Sequence, residues 1–463
     1  MIDTASALDS FEAAVAQAGK RRRLISVTTP VAIDDPSAAV FASRLAADRW
    51  FAWEQPDRDG FALAGLGSAH EAISRGPRRF DDLIEECSAV TRGRIADEPE
   101  GLPAGAGPVW TGGFAFASEG ARSASWSSFP PALLVLPELS LLRSGASTWL
   151  TVTALSTGAS SPDELLRRVE RRLATLHEQP LALLDPHPRG TTTITSVSPP
   201  SSYEATVAAA TRKIAAGELE KVVLAREVAV EAPSAHDPAA LFGSLRESFP
   251  SCFSFCVGSP EAVFLGASPE LLVRRRGASV ATVALAGSTR RSADPAVDDH
   301  LGEQLLQSVK NRSEHEIVAR RIARKLAPRS VWVEADSEPL LVKVANIQHL
   351  ATPVHAQLAD PLSAVELAAL LHPTPAVGGE PAGVAERVIS ELEDIDRGWY
   401  AGPVGWMDAT EDGEFCVALR SALLRDRIAH LFAGAGIVAD SEPADELAET
   451  ELKLEALLPL LSG

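Results

Sequence analysis

The chain has 463 residues, 46% hydrophobic and 23% charged, a globular mix long enough for about three domains or one large α/β unit. Its 43 basic residues against 62 acidic ones leave a net charge of −19, which argues against a phosphate-backbone partner. No run of about 18 uninterrupted apolar residues could cross a membrane, the N-terminus lacks the order of a signal peptide, and four cysteines without a CxxC make no disulfide framework, so a cytoplasmic protein is expected.

In chain order, residues 1–190 alternate short apolar runs with Gly and Pro. Strands are expected at Trp50–Trp53, Gly60–Leu66, Trp110–Ala117 and Pro131–Leu142, and helices at Pro162–Leu176 and from Glu71 to beyond Arg75. This part reads as a sheet-rich scaffold without a catalytic constellation. A seam follows at Leu184–Ser202, rich in Pro, Ser and Thr.

The second part, residues 200–463, opens with a helix over Ser201–Ala216, closed by Gly217, and a strand over Lys221–Val230. A helix at Pro238–Glu247 is capped by Asp237. Strands are predicted at Phe253–Val257, Ala262–Ala267, Leu271–Arg275 and Val280–Ala286, then one long helix over Asp298–Leu326. The chain ends in a meander (Gly402–Asp408, Glu414–Leu424, Ile428–Ala433) and a helix over Ala444–Leu461. Strands in hairpin order between helices predict an α/β chain of the α+β type, with two large, mainly antiparallel sheets covered by helices.

Several common motifs are missing. Gly65-Leu66-Gly67 lacks the third glycine of a dinucleotide fingerprint, His70-Glu71 and His315-Glu316 lack the second histidine of HExxH, and no GxSxG or GxxxxGK occurs. What remains is charge in unusual places. Glu314 falls on the stripe of Ile317, Val318, Ile322 and Leu326, so a carboxylate faces the core or snorkels from it. Glu446, Glu449 and Lys453 share one helix face, as a surface ion pair or as carboxylates for a hard divalent cation beside an anion anchor.

Arg420 alternates onto one strand face with Cys416, Ala418 and Ala422, small neighbours that leave room for a bidentate carboxylate. Gly434 and Gly436 permit either close backbone approach to a ligand or an ordinary turn. Lys221 faces the side of Val223 and Ala225, where a desolvated amine could act as a base; a solvated strand end is the plainer reading. Glu270, at a turn between apolar strands, is a candidate acid or simply an exposed carboxylate.

The wording of the motifs goes further. KVVLAR (Lys221–Arg226), GASPELLV (Gly266–Val273), LAGSTRR (Leu285–Arg291), SEHEIV (Ser313–Val318), IQHLATP (Ile347–Pro353), HPTPAVGG (His372–Gly379), DRGWYAGPVGW (Asp396–Trp406), LFAGAGIV (Leu431–Val438) and ETELK (Glu449–Lys453) occur in that order. The chain thereby resembles the chorismate-utilising enzymes, and among them the isochorismate synthases, from about residue 200 to the end.

The resemblance implies a single large fold, so the seam need not separate independent domains. It also implies Mg2+ as cofactor and chorismate and isochorismate as ligands, in a monomer with no obligatory glutaminase subunit. It makes Lys221 the base that activates water for attack at C2, and Glu270 the acid that protonates the departing C4 hydroxyl. Glu314 and Glu449 match magnesium ligands, with Glu446 as a helper. Gly287, Ala376, Tyr400, Arg420, Gly434 and Lys453 match substrate-binding positions. Ala376, where lyase-type relatives carry threonine, favours the isochorismate-type outcome over salicylate formation. Glu380, after the two glycines, departs from the family pattern where no role maps. A glutaminase-partnered synthase and a non-catalytic chorismate-binding subunit are the remaining alternatives, and intact Lys221 and Glu270 argue against the latter.

Overall fold

A computed structural model describes residues 5–18, 22–156, 161–185, 190–344 and 346–462; residues 186–189 of the seam lie outside them. Two sheets, almost wholly antiparallel, carry the architecture, with helices around them. The larger has thirteen strands. Its centre runs in spatial order Lys221–Glu231, Ile428–Ile437, Ser421–Arg425, Val263–Ser268, Phe253–Gly258, Trp50–Gln55 and Phe61–Leu66. The smaller, of ten strands, runs Ser330–Ala335, Ile347–Leu358, Ser279–Arg290, Leu271–Arg276, Gly413–Val417, Pro403–Asp408, Val109–Phe114, Ala132–Leu136 and His70–Ser74. Strands from both sides of the seam join each sheet: Trp50–Gln55 pairs with Phe253–Gly258, and Val109–Phe114 with Pro403–Asp408.

The period-2 geometry of a strand builds two cores. Phe51 and Trp53 point into one cluster with Phe264, Trp399, Trp406 and Phe415, which joins the two sheets. Trp50 and Ala52 point the other way, into a cluster with Phe11, Val40, Phe41, Leu165 and Phe242 from the covering helices. Both faces of such strands are buried, so they read as continuous apolar runs.

Several predicted elements divide where the chain changes layer. The Pro131–Leu142 run is two strands, Ala132–Leu136 and Leu139–Ser144, in different sheets. Glu71–Ser74 belongs to the strand His70–Ser74 paired with Ala132–Leu136, Arg75 follows it, and the helix begins only at Arg79. The long helix breaks into Pro295–Gln307 and Val309–Leu326 because Ser308 caps the second, its hydroxyl accepting the Asn311 N–H. The last helix is Pro443–Leu454 followed by Leu458–Ser462. Glu414–Leu424 is not one strand: Gly413–Val417 lies in the smaller sheet and Ser421–Arg425 in the larger.

Candidate active site

The predicted residues converge where the chain passes between the sheets. Lys221 opens its strand fully buried, not solvated, with its Nζ 2.8 Å from Glu314 Oε1. Space for this pair comes from Gly436 on the neighbouring strand, where a Cβ would lie 2.3 Å from Glu314 Oε1 and 3.0 Å from Lys221 Cε. Glycine is therefore required at Gly436 for close approach, not for a turn.

Glu270 is also buried, 2% exposed, which overturns the reading of an exposed turn carboxylate. It sits on the Ser-Pro-Glu crossing between Val263–Ser268 and Leu271–Arg276, one strand in each sheet. Ser268 Oγ accepts the Glu270 N–H at 3.2 Å, and the Glu270 carbonyl accepts the Val417 N–H at 3.0 Å, fixing the turn. Thr374 Oγ1 donates to its carboxyl at 3.5 Å. Burial pushes the Glu270 carboxyl up to about 8, against the opposing pull of Lys221, Thr374, Arg420 and Lys453. At neutral pH it holds a proton.

Arg420 differs from its predicted placement. It is no strand residue but lies on the crossing between Gly413–Val417 and Ser421–Arg425, in the left-handed region at φ +48°. The alternation with Cys416 and Ala422 fails because those residues belong to different sheets. Arg420 Nη2 lies 3.4 Å from His349 Nε2. Burial, with Arg420 and Lys453 close by, drives His349 down to about 3, so it is neutral. Gly287 forms the bulge in Ser279–Arg290 opposite His349 and Leu350, at φ +76°, with Asn311 packed where a Cβ would stand. Tyr400 stacks on Phe432 at 5.3 Å, and its hydroxyl fills the space above Gly434. Burial raises that phenol to about 12. Lys453 donates to the Gly434 carbonyl at 2.8 Å and pairs with Glu449 at 2.6 Å.

The three candidate metal carboxylates each face a lysine: Glu314 with Lys221, Glu449 with Lys453, and Glu446 with Lys310 at 2.8 Å. Glu446 is 2% exposed, so its helix face is no surface ion-pair face. Burial and neighbouring Glu449 raise Glu446; Glu449 is raised by burial but held below its ordinary range by Lys453 and by Ser288, which donates to it at 3.1 Å. Lys310 is surrounded electrostatically by all three glutamates. Among the described residues no three Asp, Glu, His or Cys side chains form a ready cage. The donors nevertheless fit magnesium in kind, since that ion takes one or two carboxylates and completes its shell with water and substrate oxygens.

Residues not singled out from sequence complete the site. His349 stood inside IQHLATP and Thr374 inside HPTPAVGG, both within motifs, but neither carried a periodicity signal. Lys310, one turn before Glu314, carries no motif of its own and is found only by its pairing with Glu446. Arg397 is 5% exposed and holds the His372–Gly379 segment to the Lys221 strand, donating to the Val377 carbonyl at 2.9 Å and the Val223 carbonyl at 2.8 Å. Glu380, where no role was expected, is buried against Arg321 and Arg324 and pairs in register with Lys221. Ala376 enters only as part of the turn in which the Thr374 carbonyl accepts the Val377 and Gly378 N–H groups.

Two open-layered sheets, a neutral buried acid and a pocket of arginine and lysines define an anion-binding enzyme. The chain matches the family described as chorismate binding enzyme over residues 9–462, and it belongs to that family. It is 37% identical over 463 residues to the salicylate biosynthesis isochorismate synthase of Pseudomonas aeruginosa, covering 98% of this chain and 94% of the relative. It is 32% identical to isochorismate synthase MenF of Bacillus subtilis, covering 91% and 89%. The solved structure of the menaquinone-specific isochorismate synthase MenF from Escherichia coli superposes with a TM-score of 0.81 at 27% identity, covering 98% and 99%.

Proposed function

We propose that this enzyme interconverts chorismate and isochorismate with Mg2+ and supplies a menaquinone or siderophore pathway. The single observation that carries the chemistry is Glu270, a carboxyl buried so completely that it is still protonated at neutral pH while in the field of Lys221, Arg420 and Lys453. An acid in that state can protonate a leaving hydroxyl.

The proposed step exchanges one hydroxyl for another. With Lys221 in its neutral amine form, a water oxygen bonds to ring C2 as its proton passes to that amine; the ring double bonds shift; the C4–O bond breaks as Glu270 delivers its proton, and water departs. No redox partner is needed. Arg420, with Lys453, attracts the substrate carboxylates into an acidic protein, and Tyr400 with Gly434 shapes the ring's wall. Glu314, Glu446 and Glu449 are the residues that would hold Mg2+, whose role is to neutralise a substrate carboxylate. Chromatographic identification of products from chorismate plus Mg2+ tests the reading: isochorismate in mixture with chorismate supports it, and salicylate or a glutamine-dependent amino product overturns it.

A further inference from the structure

A cleft of about 820 Å3 opens between Arg79–Phe80, Phe116–Ser123 and the His372–Pro373 and Glu386–Gly398 stretches, and no catalytic or substrate-binding candidate lines it. Arg79 stands at its wall with no direct ion pair, its electrostatic partners Glu386 and Glu119 lying further off along the same cleft. It is 6% exposed and its Nη2 donates to the Ala115 carbonyl at 3.2 Å, while among the described residues its Nε has no partner and no carboxylate lies in ion-pair range. A buried guanidinium left in that state is costly unless an anion meets it. The other arginines on the cleft are engaged: Arg397 with Glu393, and Arg122 with Glu119. Phe80 and Phe116 add apolar lining beside Arg79, although Phe80 is stacked between Phe114 and the Arg79 guanidinium and Phe116 lies under Arg397, so their ring edges are what border the cleft.

We propose that this cleft is a second small-molecule site, for a ring-bearing monocarboxylate whose carboxylate meets Arg79 and whose ring lies against the edges of Phe80 and Phe116. The rim explains the single charge. Glu119, Glu386 and Asp396 line the same cleft, so a second negative group on the ligand would be repelled, and a dianionic substrate is disfavoured there. A ring hydroxyl, by contrast, finds acceptors. The proposal stands on the cleft alone and does not depend on the reaction assigned to the other site.

Isothermal titration of the full chain with salicylate, a ring monocarboxylate with one hydroxyl, tests it. Saturable binding is expected in the wild type and in Arg420→Gln, in which the substrate pocket is damaged, with at least tenfold weaker binding in Arg79→Gln. Glu386→Gln, an exposed change that spares the fold, should tighten binding, and the uncharged analogue 2-hydroxybenzyl alcohol should not bind. If Arg79→Gln does not fold, Arg79→Lys and Glu386→Gln carry the test. Absence of saturable binding, affinity indifferent to both Arg79 and Glu386, or displacement of salicylate by chorismate would overturn the proposal, the last by placing the ligand in the substrate pocket.

Discussion

Lys221 Nζ and Glu314 Oε1 meet at 2.8 Å inside the protein, in space that Gly436 leaves open by having no side chain. A methyl group there would strike the carboxylate at 2.3 Å and the lysine Cε at 3.0 Å. Gly436→Ala should therefore displace both groups while the strand pairing of Gly436 with Val223 persists. A displacement near 1 Å costs about 100-fold in rate. Steady-state kinetics with circular dichroism would check this; a folded variant within threefold of wild-type turnover contradicts the placement of Lys221.

As the proposed acid, Glu270 should set an activity limit and a stability cost at once. With its carboxyl raised to about 8 from an ordinary 4.5, kcat/KM should fall as pH rises through about 8 and the acid is lost. The stability sign follows: between about 4.5 and 8 the native state binds a proton that the unfolded chain has released, so this group's contribution to stability declines as pH rises across that window. Glu270→Gln removes the titration and keeps the shape. It should lose about 10²–10⁴-fold in activity yet melt above the wild type at pH 7.5 and show no such gain at pH 4. Thermal melts at the two pH values decide it.

What sequence could show follows from which neighbours matter. The Lys221–Val230 strand, the helix after Asp237 and the apolar stripe behind Glu314 are local patterns, and they stand in the structure as read. Burial of Lys221 and Glu270 is not local: it is made by Gly436, Thr374 and Val417, each more than 100 positions away from one of them. Alternation failed at Arg420 because the run 414–424 crosses from one sheet to the other, and period-2 reasoning assumes a single sheet. Motif resemblance brought these residues together where spacing could not, but it left out Lys310, His349 and Arg397, whose parts are to hold other site groups in place.

Magnesium should bind without substrate. If Glu449 and its helix neighbour Glu446 hold the ion, Mg2+ alone raises the melting temperature by mass action on the native state. Glu449→Gln should abolish that rise and the activity together, while leaving the metal-free melting temperature within a few degrees. EDTA should stop turnover and excess Mg2+ restore it. A variant that still shows the full Mg2+-dependent rise would remove Glu449 from the ligand set.

Glu393 and Arg397 form an ion pair in which each side chain is 4% exposed. Glu393 also accepts the Ala225 N–H at 2.7 Å, and Arg397 reaches two carbonyls. Removing one partner leaves a buried charge, which costs about 3–5 kcal/mol. Glu393→Ala should thus be strongly destabilised in urea titration, and more so than Glu380→Ala, whose partner Arg324 is 57% exposed and can turn to water. Equal losses would show that solvent access does not govern these two anchors.

On the proposed function, product choice is expected to turn on Ala376. Isochorismate formation is reversible because one hydroxyl replaces another of similar bond energy, so either compound should yield a mixture of both. Salicylate needs a further step, in which the C2 hydrogen moves as the pyruvate ether breaks, and that requires isochorismate held in a compact geometry. Ala376 lies two residues from Thr374, whose hydroxyl meets Glu270, and its methyl offers no hydrogen bond. Ala376→Thr adds a hydroxyl to the turn that carries Thr374. It should leave Mg2+ dependence intact and raise side products by a few-fold, an effect of about 1 kcal/mol, the size of one hydrogen bond. The deciding measurement is a chromatographic time course at neutral pH: if the wild type accumulates salicylate as its main product with isochorismate only transient, Ala376 does not set the outcome and the enzyme is a salicylate former.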